Sequence, residues 1–497
     1  MKQRSISRIG SYSRALRINC RKPYILLIAL CGIASLLTVL SGLFFGIQND
    51  FTEDFLAESS VFLAGATVMG AVMIPTLFRE LYNRQFADVE FSLPMSSSER
   101  FLAKLLAVVR YHLLPLAVVM TALIIFSAVI GSCETMIGMS IALLTTAVFF
   151  DAVSILSVCC LGRIMESVYV PVVFGTALTL LPYVAFDKLV VACSHHNFDT
   201  FKFFDFPFGV LDLLRIFDHD FGSFADLSAG FILKHILCLV IYIAAIALAY
   251  QIYRRRDAVQ TGTPFVYRSF YLIFSFTVLV TLFMMFLMNG EGYMSILIAL
   301  AVYAAISISA ERGALTARTF IYTGTTFICT YFVTLAVGFA AFTTLGFGFI
   351  DTVPGEWIDA TFEEQSRSYD PVELQFDVHM VMDRTNNDYR HYFFSMNSPD
   401  FKPEAVREVF RTARKYANID TSFGAYMDKI SGYDRDNDQP GYFYADVYRY
   451  EENLTYLSHD VYYGLTREDF EKLTEELKKI DGLKFVDETD GEGEFIY

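Results

Sequence analysis

The sequence predicts an all-α polytopic membrane domain of about nine transmembrane helices, followed by a C-terminal α+β soluble domain. Three observations predict it. Hydrophobic residues fill 54% of the 497 positions and charged residues only 19%, whereas a water-soluble chain carries about a quarter charged. The charge is unevenly divided: residues 351–497 hold 16 Lys and Arg against 33 Asp and Glu, leaving 23 and 21 in residues 1–350. Long apolar runs recur throughout the first part and stop before the acidic tail.

A helix needs about 20 apolar residues to cross the hydrocarbon core. Such runs lie at 23–47, 61–78, 105–131, 136–161, 168–192, 231–253, 270–289, 292–310 and 319–345. The first is too long for the apolar part of a signal peptide and has no small-residue cleavage site after it, so it reads as a span. Asn289–Gly292 leaves only a tight hairpin between the seventh and eighth runs. The N-terminal segment, residues 1–22, holds Lys2, Arg4, Arg8, Arg14, Arg17, Arg21 and Lys22 with no acid. Taken as cytoplasmic, it predicts basic residues on alternate connections. They occur at Arg79, Arg84, Arg100 and Lys104, at Arg163, at Arg254–Arg256 and Arg268, and at Arg312 and Arg318. The intervening connections carry Asp50, Glu53, Asp54 and Glu58, then Glu134, an acidic loop and Glu291. The expected product is a multi-pass protein of the cytoplasmic membrane, N-terminus inside and residues 350–497 outside. Ile6, Ile9 and Leu16 share one face of Ser5–Asn19, which suits either a helix on the inner leaflet or a plain basic tail.

Polar residues within spans are expensive and therefore informative. Asp151 lies deep in the fourth run and His112 near the cytoplasmic start of the third. Asp151 can face a translocation path or pair with a neighbouring helix, and His112 is a second candidate for the path. The eight cysteines all precede residue 330, mostly inside apolar runs and without metal-ligand spacing. They read as small packing residues. His195 and His196 are neighbours with no third ligand close in sequence, so no metal is expected.

The connection between the second and third runs reads, from Arg79, R-E-L-Y-N-R-Q-F-A-D-V-E-F-S-L-P-M-S-S-S-E-R-F-L-A-K. Pro94 ends one helical segment, and Ser96 with Glu99 three residues on forms a capping box for the next. The outcome is a helical elbow beneath the membrane. This segment resembles the cytoplasmic coupling loop of ABC exporter permeases of the second type. Asp88, Ser92, Leu93, Pro94, Ser96, Phe101 and Lys104 keep that family's spacing, while Ser97 stands where a basic residue is usual and Arg100 is the candidate substitute. Tyr253-Arg254-Arg255-Arg256, leading through Thr261 and Gly262 to Phe265, is similar to the segment after the sixth helix of Gram-positive members. Val259 stands near the family's usual Glu, and the three arginines equally suit a cytoplasmic anchor. The Phe- and Asp-rich loop 193–230 stands where the family carries a re-entrant element.

The resemblance implies a six-helix permease core over 23–270, with three added helices over 271–349. It implies a membrane subunit with no catalytic residues, coupled to a separate ATPase through Asp88, Ser92, Leu93, Pro94, Ser96, Glu99, Arg100, Phe101 and Lys104. It further implies a homodimer or a pairing with a second permease, in contact with membrane lipids and not with nucleic acid. The chain has no G-x-x-x-x-G-K-[ST] phosphate cradle, so no cofactor is expected and ATP belongs to the partner. Two other classes compete: a membrane-anchored sensor, for which nine spans are excessive, and an ion-coupled transporter, for which intramembrane carboxylates are scarce.

In the tail, Val372 to Asp383 alternates apolar and polar residues as a half-buried strand does. Pro403–Ala417 is an amphipathic helix, and 441–450 with 454–463 read as a hairpin. Thr466 and Asp469 open another helix, and Leu483–Asp487 is a last strand, giving the order βαββαβ. Asp434–Asp438 has partial calcium-loop spacing without the following Gly or terminal Glu. Asn453-Leu454-Thr455 matches a glycosylation pattern, and Trp357 suits a headgroup anchor.

Overall fold

The computed structural model describes residues 2–44, 61–130, 133–194, 196–198, 229–256, 261, 265–287, 292–310, 317–348, 373–383, 388–397, 403–431, 441–448, 459–481 and 483–492. Trp357, Asp434–Asp438, Asn453–Thr455, His195 and the aromatic loop from Phe201 to Phe221 lie outside these residues.

The described residues are mostly helical. Helix α1 (Lys2–Ala15) meets α2 (Arg21–Phe44) at a bend of 79° between their apolar segments. Helix α3 (Val61–Leu77) and the short α4 (Arg84–Phe91) follow. Ser97–Val108, Val109–Leu113 and Leu114–Ile130 run on as one helix, α5, whose middle segment is a π-turn. Pro115 explains the widening: its ring would press on the carbonyl four residues back, and one extra residue in the turn relieves that clash. Then come α6 (Cys133–Cys160), α7 (Ile164–Ala185, continued by a π-stretch Phe186–Val191), α8 (Ala229–Arg254), α9 (Arg268–Leu287), α10 (Gly292–Ala310) and α11 (Ala317–Thr343).

Six helical stretches among the described residues are long and apolar enough to cross a membrane: Ser97–Ala128, Cys133–Cys160, Ile164–Val191, Ala229–Arg254, Arg268–Met285 and Thr323–Thr343. This suggests a multi-pass membrane protein. The other three expected runs are also helical. The first forms the bent pair with α1, and the second and eighth give the shorter apolar stretches Val61–Leu77 and Ile296–Ile308.

The strands are β1 (His196–Phe198), β2 (Glu373–Asp383), β3 (Asp388–Asn397), β4 (Gly441–Tyr448), β5 (His459–Leu465) and β6 (Lys484–Glu492). They pair in the order β1-β5-β4-β2-β3-β6, every neighbour antiparallel. Helices α12 (Pro403–Tyr416), α13 (Phe423–Ser431) and α14 (Arg467–Leu477) complete the described elements. Val378, Phe394, Phe443, Tyr463 and Leu465 from the sheet share a core with Val409, Phe410 and Ala413 of α12 and Phe470, Leu473 and Leu477 of α14. Burying these side chains supplies the driving force, at about 25 cal/mol per Å² of apolar surface.

The expected order βαββαβ is corrected in three places. Asp388–Asn397 is a strand hairpinned to β2, Phe423–Ser431 is an additional helix, and β1 comes from the connection after α7. The β2–β3 hairpin has no period-two signature in the sequence because Asp388–Asn397 lacks strict apolar–polar alternation. A three-residue strand such as β1 carries no sequence signal.

The chain divides into two compact units. One comprises residues Met1–Pro182, Phe204–Thr281 and Ala301–Phe327. The other comprises Tyr183–Phe203, Leu282–Leu300 and Ile328–Tyr497.

Candidate functional site

Asn83 caps α4 by accepting from Gln85 N at 2.9 Å. After α4 the chain turns through Pro94, with Met95 N donating to Leu93 O at 2.7 Å. The capping box is present in full: Glu99 N donates to Ser96 Oγ at 3.2 Å, and Ser96 N donates to Glu99 Oε2 at 2.9 Å. These bonds satisfy amide donors that a helix start otherwise leaves orphaned, and they begin the helix that becomes the third apolar run.

Two of the elbow's basic residues, Lys104 and Arg100, turn inward, while Arg79 and Arg84 stay exposed. Lys104 is fully buried between two carboxylates: its Nζ bonds Glu80 and lies 2.6 Å from Glu90 Oε1. The ammonium also stands 5.1 Å from the centre of the Phe78 ring and 5.7 Å from that of Tyr253, where ring faces add attraction. Burial pushes the Glu80 carboxyl up to about 7, against the pull of Lys104 and helped by Glu90. Arg100 is buried too; it donates to Glu90 O at 3.0 Å and Ser97 Oγ at 3.3 Å and lies over the Phe91 ring. Phe101 packs against Phe78, Tyr250 and Tyr253.

Two outer elements brace this centre. Helix α1 offers Arg8, whose Nη1 donates to Pro94 O at 3.4 Å, and its Leu16 is buried. Leu16, on the face that suited either an inner-leaflet helix or a plain basic tail, is thus covered by protein. From beyond α8, Arg256 reaches back: Nη1 donates to Val158 O and Cys159 O at 3.0 and 3.1 Å, and Nη2 to Leu81 O at 2.8 Å. A cation here satisfies the last carbonyls of α6 and complements its dipole. Arg254 and Arg255 remain exposed, so of the three arginines only these two are open to the surroundings.

The structure therefore divides the residues that the sequence grouped together. Lys104, Arg100 and Phe101 are buried inside this chain and fix the elbow's shape. Asp88, Ser92, Pro94 and Ser96 are exposed, Leu93 and Glu99 partly so. Val89 at 64% and Phe91 at 46% exposure stand beside them as large apolar side chains open to the surroundings. The sequence reading missed Glu80 and Glu90 as Lys104's partners. Two acids spaced ten apart before a lysine were the available signal, but only the turn at Pro94 brings them together.

A second polar centre lies within the apolar helices. His112, on the π-turn of α5, places Nδ1 at 2.9 Å from Asp151 Oδ1 of α6 and Nε2 at 3.0 Å from Ala66 O of α3. A carbonyl can only accept, so Nε2 carries a hydrogen, and one further proton is shared between Nδ1 and the carboxylate. The pair is neutral as a whole. Gly70 makes the space, since a Cβ there would collide with Asp151 Oδ1. Both residues named from the sequence are thus brought together, joining three helices.

Comparison with family models, with curated proteins and with solved structures returns no match.

Proposed function

We propose that this chain is the membrane subunit of an ATP-driven exporter, and that its elbow seats a separate ATPase. The supporting observation is the elbow's construction: a turn held from within by the Glu80–Lys104–Glu90 cluster and Arg100, presenting Asp88, Val89, Phe91, Ser92 and Pro94 outward. A connection that only had to link two helices would not need buried charges to fix its shape. A lever driven by a partner does, because a compliant loop would absorb the displacement. Phe91 and Val89 give such a partner apolar anchors, and Asp88 gives a charge at the rim. In this reading the chain crosses the cytoplasmic membrane nine times, pairs with a second permease copy or a related one, and carries its C-terminal α+β domain outside.

Photo-crosslinkers at Asp88, Ser92 and Ser98, in cells of the source organism with their own complement of ABC ATPase subunits, test the reading by identifying what each position traps; an ATPase subunit is the expected partner. Its trapping from all three positions is expected. Crosslinks confined to Arg163–Glu166 would remove the elbow from the coupling role.

A further inference from the structure

Helix α13 is capped by Ser422, whose Oγ accepts from Ala425 N at 3.2 Å. One turn along, Tyr426 is completely buried and its hydroxyl donates to Leu335 O of α11 at 3.1 Å. Phe339 of α11 lies 5.2 Å from the Phe423 ring and 5.5 Å from the Tyr426 ring, and Phe342 lies 5.5 Å from Tyr426. Gly338 makes the notch, because a Cβ there would collide with the Tyr426 hydroxyl.

The position of this contact along α11 matters. Leu335 stands eight residues before the helix end at Thr343, about 12 Å along the axis at 1.5 Å per residue. It falls inside Thr323–Thr343, a stretch apolar enough to cross a membrane. A bilayer that surrounds this stretch surrounds whatever packs on it at the same depth. Yet Phe423 is 60% exposed and Met427 40% exposed on the helix that docks there. Two large apolar side chains beside the end of so apolar a helix are what the boundary between headgroups and acyl chains accommodates.

We propose that α13 is a membrane-seated helix, with Phe423 and Met427 inserted in the lipid of the leaflet that holds the C-terminal end of α11. Tyr426 is its pivot, an aromatic body in the apolar layer with its polar tip on a backbone carbonyl. The seat gives the strand-bearing region a second attachment at the bilayer besides its peptide link to α11. The proposal rests on α11 lying in a membrane and not on the exporter reading.

The test uses the full chain in lipid nanodiscs, with the exposed Cys329 replaced by serine. Nitroxide labels are attached to Phe423→Cys and Met427→Cys, with Phe332→Cys on α11 as lipid reference and Glu471→Cys on α14 as water reference. Collision with oxygen is compared with collision with a water-soluble nickel chelate. The expected result is a several-fold lower chelate accessibility at 423 and 427 than at 471, with oxygen accessibility near that at 332. Labels at 423 and 427 that match 471 while 332 reads lipid overturn the proposal and leave the membrane assignment standing. Labels shielded from both reagents indicate a protein neighbour and overturn it as well. A water reading at 332 removes α11 from the membrane, and the proposal falls with it.

Discussion

The elbow and the centre around His112 both bury ionisable groups, but they solve the cost of burial differently. At the elbow a lysine stands between two carboxylates with aromatic faces around it, so the cluster carries more acid than base and its balance depends on a proton at Glu80. Between the helices, one histidine and one aspartate share a proton and a backbone carbonyl absorbs the remaining donor. The first arrangement responds to pH and to loss of any member. The second is a neutral link whose weak point is space. A buried pair is expensive to break and inexpensive to replace whole, which makes the contrast measurable.

Lys104→Met should have the largest effect. It strands Glu80 and Glu90 together, and a loss of about 3–5 kcal/mol is expected, read as a fall in Tm or loss of monodisperse protein in detergent. The triple variant Glu80→Leu, Glu90→Leu, Lys104→Met should regain most of it. If the triple variant is no better than the single one, the lysine's packing rather than its charge holds the elbow.

The next effect is pH dependence. The folded Glu80 carboxyl titrates near 7, above its ordinary 4.5, so the folded chain retains a proton that the unfolded chain has released. That stabilisation is complete below the ordinary carboxylate range and is lost as pH rises through about 7. The Tm should therefore decline over this window, and Glu80→Gln should flatten the decline. A slope unchanged in Glu80→Gln would assign the titration to another group.

Gly70→Ala drives a methyl into Asp151, and overpacking of this kind costs about 1–3 kcal/mol. In combination with Asp151→Ala, most of that cost should vanish, since the methyl then enters the vacated space; a double-mutant cycle in Tm reads the coupling. Additive losses would show that the two residues do not compete for volume.

Ser96→Ala is the smallest, about 1 kcal/mol for a lost N-cap. It should leave the His112 centre untouched, as judged by an unchanged effect of Gly70→Ala in its background.

Much of the elbow was legible beforehand because its signals are local. Pro94 cannot continue a helix, and Ser96 with Glu99 caps the next within one turn, so the break and restart follow from adjacent residues. The same holds for α12 and for α14, where Thr466 accepts from Asp469 N at 3.3 Å. What the buried basic residues do was not legible. Basic residues near a membrane read as an electrostatic signature on a cytoplasmic surface, and nothing in the order of residues says that Lys104 and Arg256 turn inward.

The sequence by itself determined where apolar helices run, how charge is shared between the two parts of the chain, and where the elbow bends. Each depends on composition or on residues within a turn or two of one another. Tertiary structure alone decided that His112 meets Asp151, that Arg256 clamps the end of α6, that β1 joins β5 and that Tyr426 enters the notch at Gly338. These contacts join residues from 39 to more than 200 positions apart. Their pairing is selected by shape and by the cost of leaving a buried polar group unmatched, quantities that exist only once the helices and strands are packed.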